Sequence, residues 1–372
     1  MKKRKGGHFL TNKILMEINN LKKAGIFTLV VVLIFITGWE LYLRSRGVSF
    51  SFDDNEALWA YKRSQIYNNP ERSTFFIGSS RIKFDIDLKT WEDITGEKAI
   101  QLALVGTSPQ LILKDLANDK NFKGRLIVDG TEFILFSRDP ADQENAQKSI
   151  DYYKKWTPAQ KASFYIDYVL QRNLVFLESK KMSLNALLDQ LPVPERKGVP
   201  VFSGFPIGFE PTTFDRQNIM SDDFIKVTGR QRQVKNAWIK FGAVSATPGI
   251  KGDSLQNIFK DLKISIDKIK ARGGEVIFLR PPSSGEMREA EKKAHPKEIY
   301  WDKLLSYTNT PGIYFEDYPE MTHFICPEWS HLSPKDAIIF TKDLIEILQH
   351  EKGWTFPDKQ TTGLNNINSK PF

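Results

Sequence analysis

Read as apolar and polar positions, the chain has an uncharged apolar run near its start, a body of short apolar runs alternating with amphipathic stretches, and an irregular aromatic middle. The first run is Ala24–Trp39 (AGIFTLVVVLIFITGW), extended past Glu40 by Leu41, Tyr42 and Leu43. Its length approaches the roughly 20 residues that a membrane-spanning helix needs. A cleaved signal peptide would have a shorter core followed by a small-x-small site. Here Glu40-Leu-Tyr-Leu-Arg44 follows instead, so the pattern predicts an uncleaved anchor over 24–43 rather than a buried core helix.

In the body, Phe75–Ile77, Ala99–Leu104, Arg125–Val128, Val276–Leu279 and Gly312–Phe315 read as strands. Helices are predicted between them. Asp87 caps Leu88–Ile94, and Pro109–Leu116 forms the next helix. Leu255, Ile258, Phe259, Leu262, Ile266 and Ile269 fall on one helical face that ends at Gly273-Gly274. Ser333-Pro334-Lys335-Asp336 combines an N-cap serine, a proline at the first helical position and an acid in the first turn. The helix it opens has Ala337, Phe340, Leu344 and Ile347 along its apolar face. Repeated strand–helix units predict an α/β fold, a three-layer sandwich with a central parallel sheet covered by helices on both faces.

Residues 140–250 break this rhythm. Tyr152–Leu188 reads as helical and unusually aromatic, while Val201–Pro248 is rich in Gly, Pro and Phe without a period. The stretch is an insertion, either a binding face at a site mouth or a packing subdomain. The expected organisation is a basic tail over 1–23, the anchor over 24–43, a linker over 44–70, the body over 71–357 and a polar tail over 358–372.

Charge orients the anchor. Lys2, Lys3, Arg4, Lys5, Lys13, Lys22 and Lys23 precede it against one acid, Glu17. The positive-inside rule then leaves the N-terminus in the cytoplasm and sends the body across a plasma (inner) membrane. Trp39 and Tyr42 suit the interfacial belt at the far end, which Arg44 and Arg46 oppose mildly. The same residues account for the basic composition. Residues 1–46 hold nine Lys or Arg against two acids, +7 of the chain's +8, which leaves +1 for the rest. The positive charge therefore reports membrane topology, and nucleic acid is not an expected partner. With Cys326 as the one cysteine, no internal disulfide and no cysteine-based metal cluster can form. Buried filler is the expected role of Cys326.

Chemistry enters at two places. Ser73-Thr-Phe-Phe-Ile-Gly-Ser-Ser-Arg81 is a strand that stops at Gly78. It leaves Ser79 and Ser80 at the strand's carboxyl end, where open α/β sheets place their sites. About 250 residues later, Glu328-Trp-Ser-His331 stands just before the last helix. A serine hydroxyl becomes a nucleophile when a histidine takes its proton and a carboxylate fixes that histidine's tautomer. The two segments supply all three groups. Other polar residues rank lower. His8 lies in the basic tail, His295 in the charged run Arg288–Lys297, and His350 after the last helix; His323 is a rival base with no helix start directly behind it. Asp85, Asp87, Glu316 and Asp317 are expected as caps and solvated loop residues, and no histidine–carboxylate spacing suggests a metal ligand set. Arg280, at a strand end on the site side, is expected either to bind an anionic substrate group or to form a structural salt bridge.

These blocks resemble the SGNH (GDSL-type) hydrolases, in particular membrane-anchored members associated with acylation of cell-envelope polymers. Gly78-Ser79-Ser80 matches the family's Gly-Asp-Ser block and makes Ser80 the nucleophile's counterpart. Glu328-Trp-Ser-His331 matches Asp-x-x-His, with glutamate for aspartate. Gln101–Ser108 matches the glycine block, with Gly106 as an oxyanion donor. The block that carries an asparagine corresponds to Val128-Asp-Gly-Thr131-Glu132, where no asparagine is present; the Thr131 hydroxyl is then a candidate helper. The resemblance implies a Ser80–His331–Glu328 triad, without cofactor or metal, acting on acyl esters, acetyl foremost, of an envelope polysaccharide or other glycan. A multi-pass membrane O-acyltransferase is an implied partner. A non-catalytic scaffolding or glycan-binding partner of such an enzyme, and a plain hydrolase of small esters, are the other two readings.

Overall fold

The computed structural model describes residues 6–48, 50–69, 72–178, 182–189, 204–206, 208–245 and 247–357. The expected polar tail over 358–372 lies outside them. Five parallel strands form the central sheet in the order β2-β1-β3-β4-β5, with β1 Ser73–Ile77, β2 Lys98–Gln101, β3 Arg125–Asp129, β4 Glu275–Arg280 and β5 Gly312–Tyr314. The direction of strand addition reverses between β1 and β3, the place where doubly wound sheets open a crevice beyond their carboxyl ends.

The strand sequences read as continuous apolar runs because both faces of the sheet are covered. Phe75, Ile77, Leu126, Val128, Val276 and Phe278 point into one core. There they meet Leu255, Ile258, Phe259, Leu262, Ile266 and Ile269, all buried on the helix Gly252–Lys270. Phe76, Ile127, Ile277, Leu279 and Ile313 point into the other, against Trp91 and against Ala337, Phe340, Leu344 and Ile347 of the closing helix Pro334–His350. Asp87 caps the helix Leu88–Thr95 by accepting from Thr90 N at 2.8 Å.

The structure differs from the sequence pattern in five places. The run Ala99–Leu104 is a strand only to Gln101, although Leu102 N and Leu104 N still donate to Phe76 O and Gly78 O at 2.8 and 3.0 Å. The expected linker contains α2 (Glu56–Ser64, counted after the N-terminal helix α1, Gly6–Ser45), capped by Asn55. Leu58, Trp59 and Ala60 of α2 are buried in the body, and Trp59 Nε1 donates to Leu102 O at 2.9 Å. The aromatic stretch starts earlier than Tyr152 and is not continuous: Ala141–Lys154 and Pro158–Gln171 are followed, among the described residues, by the 3-10 turn Val175–Leu177 and a separate helix Leu184–Asp189, and Thr157 and Gln160 form a capping box at the first break. The aperiodic stretch holds two helices, Asp222–Lys226 and Thr228–Lys240. The second turns only Val234 and Ala237 fully inward, so its sequence carries almost no apolar periodicity. The charged run around His295 likewise forms the helix Gly285–Ala294, followed by Lys297–Thr308.

Within α1, Asn19–Ser45 spans 27 residues with an apolar window of mean hydropathy 2.2, long and apolar enough to cross a membrane. Its far end is clasped by the body. Val175 N donates to Glu40 Oε1 at 3.1 Å, and Arg44 donates to Glu40 at 2.7 Å and to Asn173 O at 2.8 Å.

Candidate active site

Gly78 ends β1 because nothing larger fits: a Cβ there would lie 2.2 Å from Asp129 Cβ. Asp129, at the end of the neighbouring β3, accepts from Ser79 N at 3.1 Å and from Thr131 N at 2.9 Å, so one carboxylate fixes both strand ends. Ser79 is then the N-cap and Ser80 the first residue of α3 (Ser80–Asp85). As a first-turn residue, Ser80 has a backbone N–H without an intrahelical acceptor.

The loop before Pro334–His350 delivers the other two groups. His331 Nε2 lies 2.8 Å from Ser80 Oγ, and His331 Nδ1 lies 2.9 Å from Glu328 Oε1. An ionised carboxylate only accepts. The arrangement therefore assigns the imidazole proton to Nδ1, facing Glu328, and leaves Nε2 to accept from the Ser80 hydroxyl. Glu328 Oε1 also accepts from His331 N at 2.7 Å and Ser330 N at 3.3 Å, which bends the loop back on itself. The loop's own amides thus hold the Glu328 carboxylate in place beside the imidazole. Ser333 secures the following helix, with its Oγ accepting from Asp336 N at 3.2 Å.

Trp238, on the helix Thr228–Lys240, was not legible as a site residue. Its Nε1 donates to Glu328 Oε2 at 2.5 Å. Its ring, with those of Phe84 and Phe209, lies 6.0, 4.3 and 5.8 Å from the His331 ring. His331 and Glu328 are 1 and 0 % exposed, while Ser80 is half-buried and reachable from solvent. The insertion thus closes one side of the triad. The spacing of Val234, Ala237 and Trp238 was the available signal, too short by itself to mark a helix.

The insertion is fixed to α3, the helix that carries Ser80, by buried charge. Asp54, from the expected linker, pairs with Lys83 of α3 and with Arg216, whose guanidinium also donates to Gln101 O and Ala103 O at 2.9 and 3.0 Å. Burial alone would raise the Asp54 carboxyl, but Arg216 and Lys83 outweigh it and hold the group well below the usual carboxylate range.

Of the expected oxyanion donors, Gly106 stands in an exposed turn with φ +60°, brought to the end of β1 by the bond from Leu104 N to Gly78 O. The Thr131 hydroxyl is buried and has no hydrogen-bond partner among the described residues. Glu132, in the block where the resemblance leads one to expect an asparagine, is turned to Arg280, 2.8 Å away.

Of the two roles expected of Arg280, the structure shows the structural salt bridge and leaves no guanidinium nitrogen free for a substrate anion. It is completely buried, and it donates to Glu132, to Pro281 O at 2.6 Å and to Glu291. Glu291 also accepts from Arg81 at 2.5 Å, and Arg81 reaches Ser330 Oγ at 3.3 Å. This buried network runs under the site and joins α3, the loop of His331 and the end of β3. Burial works to raise the Glu291 carboxyl, yet Arg280 and Arg81 prevail and keep it well below its usual value. A carboxyl whose folded value is depressed stabilises the fold above the ordinary carboxylate range and loses that contribution as the pH falls through and below it. Removing Arg280 leaves Glu132 buried without its cation and Glu291 with hydrogen bonds from Arg81 and Ser283. Arg280→Met should therefore cost about 3–5 kcal/mol, read as a fall of roughly 10 °C in Tm for the full chain in detergent. An unchanged Tm would show the network to be dispensable.

Of the remaining candidates, all but Asp85 stand apart from Ser80, His331 and Glu328. His323 is exposed, its ring tilted against that of Phe324 at 4.2 Å, and Asp317 pairs with Lys297 at 2.8 Å. Glu316 pairs with Arg288 at 2.6 Å. Asp85 is not a solvated loop residue: it is completely buried and accepts from Leu332 N at 2.8 Å, directly behind His331. Burial pushes its carboxyl well above the ordinary range. Cys326 is buried. Among the described residues, no group of three or more His, Cys, Asp and Glu side chains is placed to hold a metal ion. In comparisons with protein-family models and with curated proteins, nothing matches the chain.

Proposed function

We propose that the protein is a membrane-anchored serine esterase or O-acyltransferase of the SGNH type, acting on acyl esters, acetyl foremost, of an envelope polysaccharide or related glycan. The observation that carries the reading is the unbroken chain of hydrogen bonds from Ser80 Oγ through His331 to Glu328. Ser80 Oγ attacks the acyl carbonyl as its proton passes to His331 Nε2, and Glu328 stabilises the imidazolium. The tetrahedral oxyanion meets the N–H groups of Ser80 and Gly106. His331 then gives its proton to the departing alcohol oxygen, leaving an acyl-serine. A glycan hydroxyl, deprotonated by His331, takes the acyl group in transfer, whereas water takes it in hydrolysis. A scaffolding role for a multi-pass O-acyltransferase would not need a polarised serine, so the triad favours catalysis.

A weakened oxyanion site slows both transfer and hydrolysis, and the shielding of His331 favours transfer. The oxyanion site has Glu132, an acceptor engaged with Arg280, where an asparagine would donate. Losing one such donor costs about 10²–10³ in turnover. The rings of Phe84, Phe209 and Trp238 also shield His331 from water on one side. The full chain in detergent is therefore expected to hydrolyse a chromogenic acetate ester slowly and to accelerate when an acceptor glycan is added. Fast hydrolysis without acceptor would favour the plain hydrolase. No turnover with either, and no labelling by a serine-directed phosphonate, would favour the scaffold.

The charge asymmetry around α1 supports a cytoplasmic N-terminus and an extracytoplasmic body at the plasma (inner) membrane. A reporter active only in the cytoplasm should stay dark when fused after Phe372, and a bright fusion would reverse the topology.

A further inference from the structure

The helix Pro158–Gln171 has two apolar faces. Phe164 and Tyr168 turn inward, with Phe164 stacked 5.0 Å from Tyr61 and Tyr168 lying 4.2 Å from Phe214. On another side Tyr165, Ile166, Val169 and Leu170 are 54, 61, 49 and 42 % exposed. Positions i, i+1, i+4 and i+5 share one side of a helix, so these four form a continuous stripe. Single exposed apolar residues are ordinary, but a stripe two turns long marks a surface that something covers.

The position of the stripe identifies what covers it. Just beyond the helix's last residue, Asn173 O accepts from Arg44 and Val175 N donates to Glu40, both at the far end of α1. Trp39 and Tyr42, exposed and stacked 5.6 Å apart, mark the same end as the level of an interfacial aromatic belt. The stripe therefore begins within a few residues of where α1 leaves the hydrocarbon. Lys161 and Arg172, both exposed, flank it and supply cations suited to anionic headgroups.

We propose that the Pro158–Gln171 helix is a second membrane contact, its outer stripe resting in the headgroup–acyl boundary of the bilayer that α1 crosses. Two attachments on one rigid clasp fix the tilt of the body as well as its distance from the membrane. The inference rests on α1 as a membrane span and is independent of the acyl chemistry.

The test uses the full chain in vesicles of phosphatidylethanolamine and phosphatidylglycerol containing lipids spin-labelled near the headgroup. An environment-sensitive fluorophore is placed at Ile166→Cys, with Lys148→Cys on the exposed face of the neighbouring helix and Leu29→Cys in α1 as references. Buried Cys326 does not compete for label, and all three positions are exposed, so the fold should tolerate them. The Ile166 label is expected to shift to the blue and to be quenched several-fold more strongly than the Lys148 label. An Ile166 label that behaves like Lys148 while Leu29 is quenched would overturn the proposal. A blue shift without quenching would overturn it too, by showing that a second copy or another protein covers the stripe. An unquenched Leu29 would remove the bilayer contact altogether. No substrate is present, so the outcome is read separately from catalysis.

Discussion

Replacing Ser80 by alanine is expected to remove essentially all acyl transfer, because a serine triad without its nucleophile loses on the order of 10⁶ in turnover. Stability should scarcely change. Ser80 is half-buried and its hydroxyl bonds to His331, an interaction worth about 1 kcal/mol net. Turnover on an acylated glycan and mass-spectrometric mapping of a serine-directed phosphonate read the two halves of the expectation. The label should reach Ser80 and not Ser79, which is buried as the helix cap and whose N–H is committed to Asp129. Activity retained in Ser80→Ala, or label found on Ser79, would move the nucleophile.

Glu328→Gln is expected to be nearly as damaging as His331→Ala, with a loss on the order of 10⁴ in turnover. The carboxylate receives four N–H groups, from Trp238, Ser330, the His331 backbone and His331 Nδ1. An amide nitrogen donates and cannot accept. It must therefore face either the indole or the imidazole, and in both orientations the imidazolium loses its anionic partner. The opposed donor costs about 1–3 kcal/mol of stability. Adding Trp238→Phe to Glu328→Gln relieves that opposition, so Tm should recover in the double variant while turnover stays low. A wild-type rate in Glu328→Gln would take Glu328 out of the triad.

The strands and the two faces of the sheet were readable because β1, β3 and β4 are apolar on both sides and their covering helices carry a clear 3.6-residue period, as in Leu255–Ile269. The two halves of the triad were readable for a local reason: each sits where an element ends, Ser80 after Gly78 and His331 before the Ser333–Pro334 cap. What was not legible depends on tertiary pairing. Trp238 reaches Glu328 from a helix with almost no apolar stripe, and Asp54 reaches Lys83 and Arg216 from a stretch whose composition reads as linker. Arg280 shows the converse. Its position at a strand end suggested ligand binding, but Glu132 and Glu291 saturate it. No single-residue signal separates an arginine that waits for a substrate from one already neutralised inside the fold.

Ser80 and His331 are 251 residues apart. On the proposed reading of Ser80 as nucleophile and His331 as base, synthesis at its usual pace leaves the serine without its partner for roughly 10–50 s. The chain is chemically silent throughout that interval, and it remains so until Pro334–His350 docks and sets the loop of His331. A prematurely ended product would carry a serine but no means of activating it.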